Sequence, residues 1–148
     1  MTTVDHASQL SGLAFLEAMA RGELPPPPIM STLGFGGFAV GPGWARFSMT
    51  PGEQHYNPIG SVHGGVAATL LDSALGCAVH TALEAGVGYT TVDLRVTFVR
   101  PLTSETGPVR CEGRVIHVGS RIATAEGRIT DADGRLYAHG SATCLILR

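Results

Sequence analysis

The sequence predicts an α+β fold in which a strongly curved antiparallel sheet wraps one long central helix. Three observations predict it. Residues 66–83 are Ala, Leu, Val and Cys on almost every side, and a helix that is apolar all round belongs in an interior. Two strand-like runs precede this segment, and four runs of period two follow it, divided by short turns. Strands that succeed one another through hairpins, with no helical crossover, pair antiparallel. A curled sheet is the arrangement that covers such a helix on most of its sides.

The elements follow in order. Residues 8–20 place Leu10, Leu13, Ala14, Leu16 and Ala18 at helical spacing, with Ser8 or Ser11 as N-cap, and read as a short peripheral helix. Pro25 to Pro28 form a stiff extended connector, and residues 29–33 fit one helical turn. Strands are expected at 35–40 and 44–49, joined by Gly41-Pro42-Gly43. A loop at 51–61 leads into the helix, and Glu84-Ala85-Gly86 closes it in the manner of a glycine C-cap. Strands at 90–100, 108–118, 121–130 and 135–147 are separated by residues 103–107, by Gly119-Ser120 and by Asp131-Ala132-Asp133-Gly134. The chain thus divides into residues 1–27, a helix with a proline-rich connector, and residues 28–148, the main domain.

The bulk properties exclude several functions. At 148 residues the chain has the length of one domain with a genuine core. A net charge of −2 without basic clusters argues against nucleic-acid and anionic-membrane partners. Cys77, Cys111 and Cys144 are odd in number and form no CxxC pair, so they suit small buried positions in a reducing compartment. His55, His80, His117 and His139 lack metal-ligand spacing, and no metal or cofactor is expected. The start, Met1-Thr2-Thr3-Val4-Asp5-His6, has neither the basic nor the apolar region of a secretory leader, which points to a cytoplasmic protein. The long apolar run holds Thr69, Asp72, Ser73 and His80 and lacks basic flanks, so it reads as a buried helix and not a membrane span.

The most informative stretch is Asn57-Pro58-Ile59-Gly60-Ser61-Val62-His63-Gly64-Gly65, with Asp72 beyond it. A carboxylate in the middle of an apolar helix costs several kcal/mol unless paired or solvated. Capping a loop or pairing with Arg95 is one justification and catalysis is the other. Gly64 and Gly65 open the helix, where N–H groups are unsatisfied and the dipole is positive, and a missing side chain lets a carbonyl approach. That is the makings of an oxyanion site. Asp72 would activate water or attack directly, and Asn57 would orient the acyl group or the leaving atom. Gly64 and Asp72 lie eight residues apart on one helix, a rise of roughly 12 Å. One helix therefore cannot bring both to a single carbonyl. Two helices about a two-fold axis can, with Gly64 of one subunit facing Asp72 of the other.

These residues resemble the hotdog-fold acyl-CoA thioesterases of the phenylacetate-pathway, or PaaI-like, subgroup. The likeness runs over residues 28–147. It rests on residues 57–65 with Asp72, on Thr90-Thr91-Val92-Asp93-Leu94-Arg95-Val96-Thr97-Phe98-Val99-Arg100-Pro101, and on Ala138-His139-Gly140-Ser141-Ala142-Thr143-Cys144-Leu145. The resemblance implies that Gly64 polarises a thioester carbonyl, that Asp72 of the facing subunit is base or nucleophile, and that Asn57 positions the thioester. It implies that Thr91 helps hold the attacking water and that His63 supports the loop. Gly65 would lie beside the substrate, and Arg100, Ser120 and Arg121 are candidate contacts to CoA phosphates. The implied partner is an aryl- or medium-chain acyl-CoA, and the implied assembly is a homotetramer, a dimer of dimers whose active unit is the dimer. Two other functions use similar residues: an acyl-CoA binding or sensor module without catalysis, and an acyl-thioester dehydratase pairing His63 with Asp72.

Overall fold

The computed structural model describes residues 7–148. The reading of the first six residues lies outside them. In chain order the elements are α1 (Gly12–Ala20), α2 (Pro28–Leu33), β1 (Phe35–Gly41), β2 (Trp44–Met49), a single 3₁₀ turn (Glu53–His55), α3 (Gly64–His80), β3 (Gly88–Phe98), β4 (Val109–Val118), β5 (Ile122–Asp131) and β6 (Leu136–Leu147). The six strands form one sheet in the order β1-β2-β4-β5-β6-β3, and every neighbouring pair is antiparallel. Helix α3 lies against β2, β3, β4, β5 and β6. This is the hotdog arrangement. Among the described residues no helix is long and apolar enough to cross a membrane.

The helix side of the core is Leu70, Leu71, Ala74, Leu75 and Val79, each 1% exposed or less. Burying a side chain of the Leu or Val size contributes about 1.5–3 kcal/mol, so this stripe anchors the helix to the sheet. The expectation of a helix covered all round needs correction. Val66, Ala68, Thr69, Asp72, Ser73 and Cys77 are only half-buried, and Gly65 is exposed. The sheet of one chain covers one side of α3 and leaves a lengthwise strip open.

Close approach of helix to sheet is made by glycine. Gly113, Gly127 and Gly140 are register partners on three successive strands. A Cβ on Gly113 would stand 2.6 Å from the Ala74 carbonyl oxygen and 2.9 Å from the Leu75 nitrogen. One on Gly127 would meet Leu75 Cδ1 at 2.6 Å. Backbone cannot yield as a side-chain tip can, so Gly113→Ala should destabilise the fold by about 1–3 kcal/mol, the range for overpacking. A urea midpoint no lower than that of the wild type would show that the helix has room to lift.

The ends of the elements differ from expectation in physically legible ways. Of the two candidate N-caps Ser11 is the one used, its Oγ accepting the Ala14 N–H at 3.2 Å, so α1 begins at Gly12 and the chain between residues 9 and 11 is not helical. Gly12 has no room for a side chain, since a Cβ there would meet the His80 carbonyl oxygen at 1.7 Å, and this contact seats α1 on the end of α3. Helix α3 stops at His80, well before the glycine expected to cap it. Thr81 takes the cap position in a right-handed conformation, its hydroxyl donating to the Ala78 carbonyl at 2.7 Å and accepting the Gly43 N–H at 2.9 Å. Gly86 has its positive φ of 81° in the turn that follows. In the β5–β6 turn, Asp131 Oδ1 accepts the Asp133 and Arg135 N–H groups and Oδ2 accepts the Tyr137 hydroxyl. This is Asp–Gly turn chemistry with the side chain serving as a backbone substitute.

Candidate active site

The loop before α3 is built by its own polar side chains. Tyr56 and Val62 form an isolated antiparallel bridge, and Asn57 spans the loop between them. Asn57 Oδ1 accepts the Ile59 N–H at 3.0 Å and the Ser61 N–H at 3.2 Å, while Nδ2 donates to Ser61 Oγ at 3.2 Å. The carbonyl end of Asn57 is therefore committed to the loop, and its amide NH2 is the part able to meet a ligand. His55, buried at 6% exposure, holds the same region: its ring bonds the Leu33 carbonyl and accepts the Gly52 N–H. In the sequence His55 is one more scattered histidine, and no local signal marks this role.

His63 is the N-cap of α3. Its Nδ1 accepts the Gly65 N–H at 2.9 Å. This corrects the expectation that both glycine N–H groups stand free: Gly65 is engaged by its own cap, and the ring that engages it is a structural group at that atom. The Gly64 N–H takes part in no hydrogen bond among the described residues. Gly64 faces a cavity of about 330 Å³ lined by Asn57, Ser61, Phe98, Arg100 and Tyr137, among others. The Arg100 guanidinium lies 5.8 Å above the Tyr137 ring. The structure thus brings Asn57, Gly64 and Arg100 to one cavity.

Asp72 is elsewhere. Its Oδ1 is buried without a hydrogen-bond partner, and among the described residues it belongs to no ion pair. Pairing with Arg95 is not made, since Arg95 is exposed and in register with Ser141. Around the carboxylate lie Cys77, Tyr89 and Cys144, whose titration its charge opposes. Burial first, and Asp72 second, push the Cys77 thiol up to about 12. Burial likewise raises Cys144, against a lowering contact from Thr91, whose Oγ1 lies 3.9 Å from its Sγ. Neutral thiols are poor nucleophiles, so the cysteines do not compete with Asp72 for that role.

Strand β3 carries Thr91 to this cluster through a bulge. Thr91 pairs with Cys144 but Asp93 pairs with Thr143, leaving Val92 as the extra residue, 56% exposed. The bulge reverses the alternation, so that Tyr89, Thr91, Leu94 and Val96 are the half-buried positions and Asp93 and Arg95 are exposed. Ser120 and Arg121 lie in the β4–β5 turn, where the Arg121 carbonyl accepts the Ile146 N–H. This is the Gly88 end of β3, because Gly88 pairs with Leu147. Arg100 follows the other end. The single chain does not bring the three candidate phosphate contacts together, nor Gly64 to Asp72. Among the described residues no group of three or more His, Cys, Asp or Glu side chains is placed to hold a metal ion.

Comparison with known proteins agrees with this fold. The profile of the Thioesterase superfamily matches residues 59–138, which include Gly64, Asp72 and Thr91. The human protein Acyl-coenzyme A thioesterase 13 is 31% identical over 106 residues, covering 71% of this chain and 74% of its own. A Halobacterium salinarum protein named "Putative esterase VNG_1336C" is 42% identical over 86 residues, and the match spans 56% of this chain and 51% of that protein's length. The chain therefore matches only about half of that relative. Among solved structures, a phenylacetic acid degradation-related protein from Ralstonia eutropha JMP134 superimposes with a TM-score of 0.78 at 30% identity, covering 88% of this chain and 98% of its own. With the sheet, the helix and the matched profile in agreement, this chain belongs to the thioesterase superfamily.

Proposed function

We propose that the chain hydrolyses acyl-CoA thioesters to CoA and a carboxylic acid, and does so as a two-fold dimer. The observation that carries this reading is the buried, unpartnered Oδ1 of Asp72 on the same helix whose N-terminal Gly64 N–H is free and faces a cavity. In this reaction the Gly64 N–H donates to the thioester carbonyl oxygen and stabilises the negative charge that develops there. Asp72 removes a proton from the attacking water, whose oxygen bonds the carbonyl carbon. The tetrahedral intermediate collapses, the C–S bond breaks, and the CoA sulfur takes up a proton. The Asn57 amide NH2 and Thr91 would orient the thioester and the water. Arg100 at the cavity suits a phosphate or pyrophosphate of CoA. The half-site of Ser120 and Arg121 would have to come from another subunit.

What supports the dimer is how α3 and β3 are laid together. Gly64 packs against the Phe98 ring and Gly76 against Tyr89, so helix and strand run in opposite directions. β3 is an edge strand of 11 residues, and Val92, Phe98 and Val99 expose 53–58% of their surface. A long apolar edge is an open template for pairing. Antiparallel pairing of β3 with its own copy brings the Phe98 end of one chain beside the Tyr89 end of the other. Gly64 then approaches Asp72 of the partner subunit, and the open strip of α3 becomes covered. The proposal extends to a dimer of dimers and to a cytoplasmic site of action, where three free cysteines persist.

The test is free-thiol release from a panel of aryl- and alkyl-CoA thioesters, with sedimentation to give the assembly. Release by a species of two or more chains is expected. Acyl-CoA binding without thiol release would make the chain a binding module instead, and an active monomer would refute the shared site.

A further inference from the structure

β3 has a neighbour on one side only, and its ladder with β6 shows which groups it leaves free. The Val99 N–H bonds the Tyr137 carbonyl at 2.8 Å, and Thr97↔His139 and Arg95↔Ser141 continue that register. In an antiparallel ladder, residues that bond the neighbouring strand alternate with residues whose N–H and C=O point away from it. Leu94, Val96 and Phe98 therefore turn their backbone groups to the open edge. A second copy of β3 added there must set these residues opposite their own kind. A two-fold axis between the copies then passes through a residue and not between two.

Charge decides which residue. The outer face of β3 carries two charges, Asp93 and Arg95, and both are exposed. Neither belongs to an ion pair among the described residues, and on β6 they stand opposite the uncharged Thr143 and Ser141. An axis at Asp93 would set two carboxylates face to face, and an axis at Arg95 two guanidiniums. An axis at Val96 would leave both charges without a partner. An axis at Leu94 sets Asp93 of each chain opposite Arg95 of the other, twice per dimer by symmetry. These positions alternate with the hydrogen-bonded ones, so their opposed side chains are the closer kind, with Cα atoms about 4.5 Å apart. Opposite charges so placed stabilise a strand pair, and like charges destabilise it.

We propose that Asp93 and Arg95 fix the register of the β3–β3 seam, with the two-fold axis at Leu94 and each Asp93 paired with Arg95 of the partner subunit. They are positioning residues for the shared site, and the proposal rests on the dimer described above. Register matters because moving the axis by one residue slides the chains by two, about 7 Å along the strand, and a displacement of about 1 Å is already costly to catalysis. With the axis at Leu94 and the bulged Val92 passed over, Val96 and Phe98 lie opposite Thr91 and Tyr89 of the partner subunit. Inward positions thus meet inward positions. The Phe98 ring lies against Gly64, so Gly64 is carried to the stretch of β3 that borders the partner's Asp72. The sequence Asp93-Leu94-Arg95 is its own complement when read in the opposite direction, which suits a second copy of this chain and no chain of arbitrary sequence.

The experiment measures the dimer dissociation constant by sedimentation, and thiol release per chain, for the wild type, Arg95→Asp, Asp93→Arg and the exchanged variant carrying both. Each single reversal makes both pairs like-charged and should raise the dissociation constant by about tenfold or more. Thiol release should fall at the concentrations where the dimer comes apart. The exchanged variant restores both pairs in the opposite sense, and its constant should return to within about threefold of the wild type. Mixing the two single variants should give heterodimers in preference to either homodimer, since both pairs are then complementary. A single reversal that dimerises as tightly as the wild type, or an exchange that restores nothing, would overturn the register. A wild type that stays monomeric would remove the seam as well. The expected pattern of dissociation constants without thiol release from any chain would keep the register and remove the thioesterase reading.

Discussion

Asp72→Asn is expected to lower kcat/KM for thioester hydrolysis by about a thousandfold, within the range for loss of a positioned general base, and to leave the fold at least as stable. The two halves of this expectation come from one observation. Asp72 Oδ1 is buried and accepts no hydrogen bond, so the native fold gains nothing from it that an amide of the same shape would forfeit. A buried acceptor without a partner instead burdens the fold by its lost hydration, on the order of 1–3 kcal/mol. A residue kept for structure would behave in the opposite way: removing its charge would break a pair and unfold the protein. Thiol release and a urea midpoint measured on the same preparation separate the cases. Low activity with an unchanged or higher midpoint supports the catalytic role. Retained activity would end it, whatever happens to stability.

The periodic parts of this fold were legible because their physics is local. Alternation in residues 108–118 and 121–130 placed β4 and β5 to within a residue or so of Val109–Val118 and Ile122–Asp131. The apolar segment after Gly65 announced α3 for the same reason. What stayed hidden depends on register or on a neighbour. The bulge at Val92 has no glycine to mark it, and it decides which residues of β3 face Asp72. The row Gly113, Gly127 and Gly140 consists of three unrelated glycines until the strands are aligned. The end of α3 was misplaced because Thr81, tied to Gly43 across the fold, closes the helix before Gly86 is reached.

The candidate site shows the same division. Asp72 was visible as a polar residue in apolar company, and Gly64 as a glycine at a helix start. Which of two adjacent N–H groups is free was not visible, because it depends on the rotamer of His63. The half-open strip on α3 is not legible in the sequence either. Composition reports what a side chain prefers and not which chain covers it, so an apolar residue facing a partner subunit looks identical to one facing the core. In the proposed dimer, the excess apolarity of α3 and the exposed Val92 and Phe98 of β3, with Val99 just after it, are two sides of one seam, and only the sheet order, with β3 at its edge, shows that they adjoin.

Gly64→Pro should lower kcat/KM by about a hundredfold to a thousandfold, the effect of removing one oxyanion donor, and the loss should be partly reversed by mixing with Asp72→Asn chains. Proline is the substitution of choice because Gly64 is the first residue of α3, where proline's fixed φ is welcome and its missing N–H breaks no helical bond. His63 before it has φ −56° and ψ 133°, an extended conformation that a following proline accepts. The nearest obstacle is the Phe98 ring at 3.0 Å from a Cβ, a side-chain tip that can turn aside. Activity is thus removed at one atom while the helix is kept. If Gly64 serves the site of the partner subunit, a heterodimer of the two variants contains one site with both defects and one site with neither. Random mixing of equal amounts makes half of the dimers mixed, so activity should return to about a quarter of the wild-type value. If each chain carried a complete site of its own, every site in the mixture would be defective and no activity would return. Unfolding and refolding the variants together, with a mass tag on one chain to count heterodimers, makes the two outcomes distinct. Heterodimers that form and stay inactive would place the whole site within one chain, and the seam between α3 and β3 would then need another explanation for its buried carboxylate.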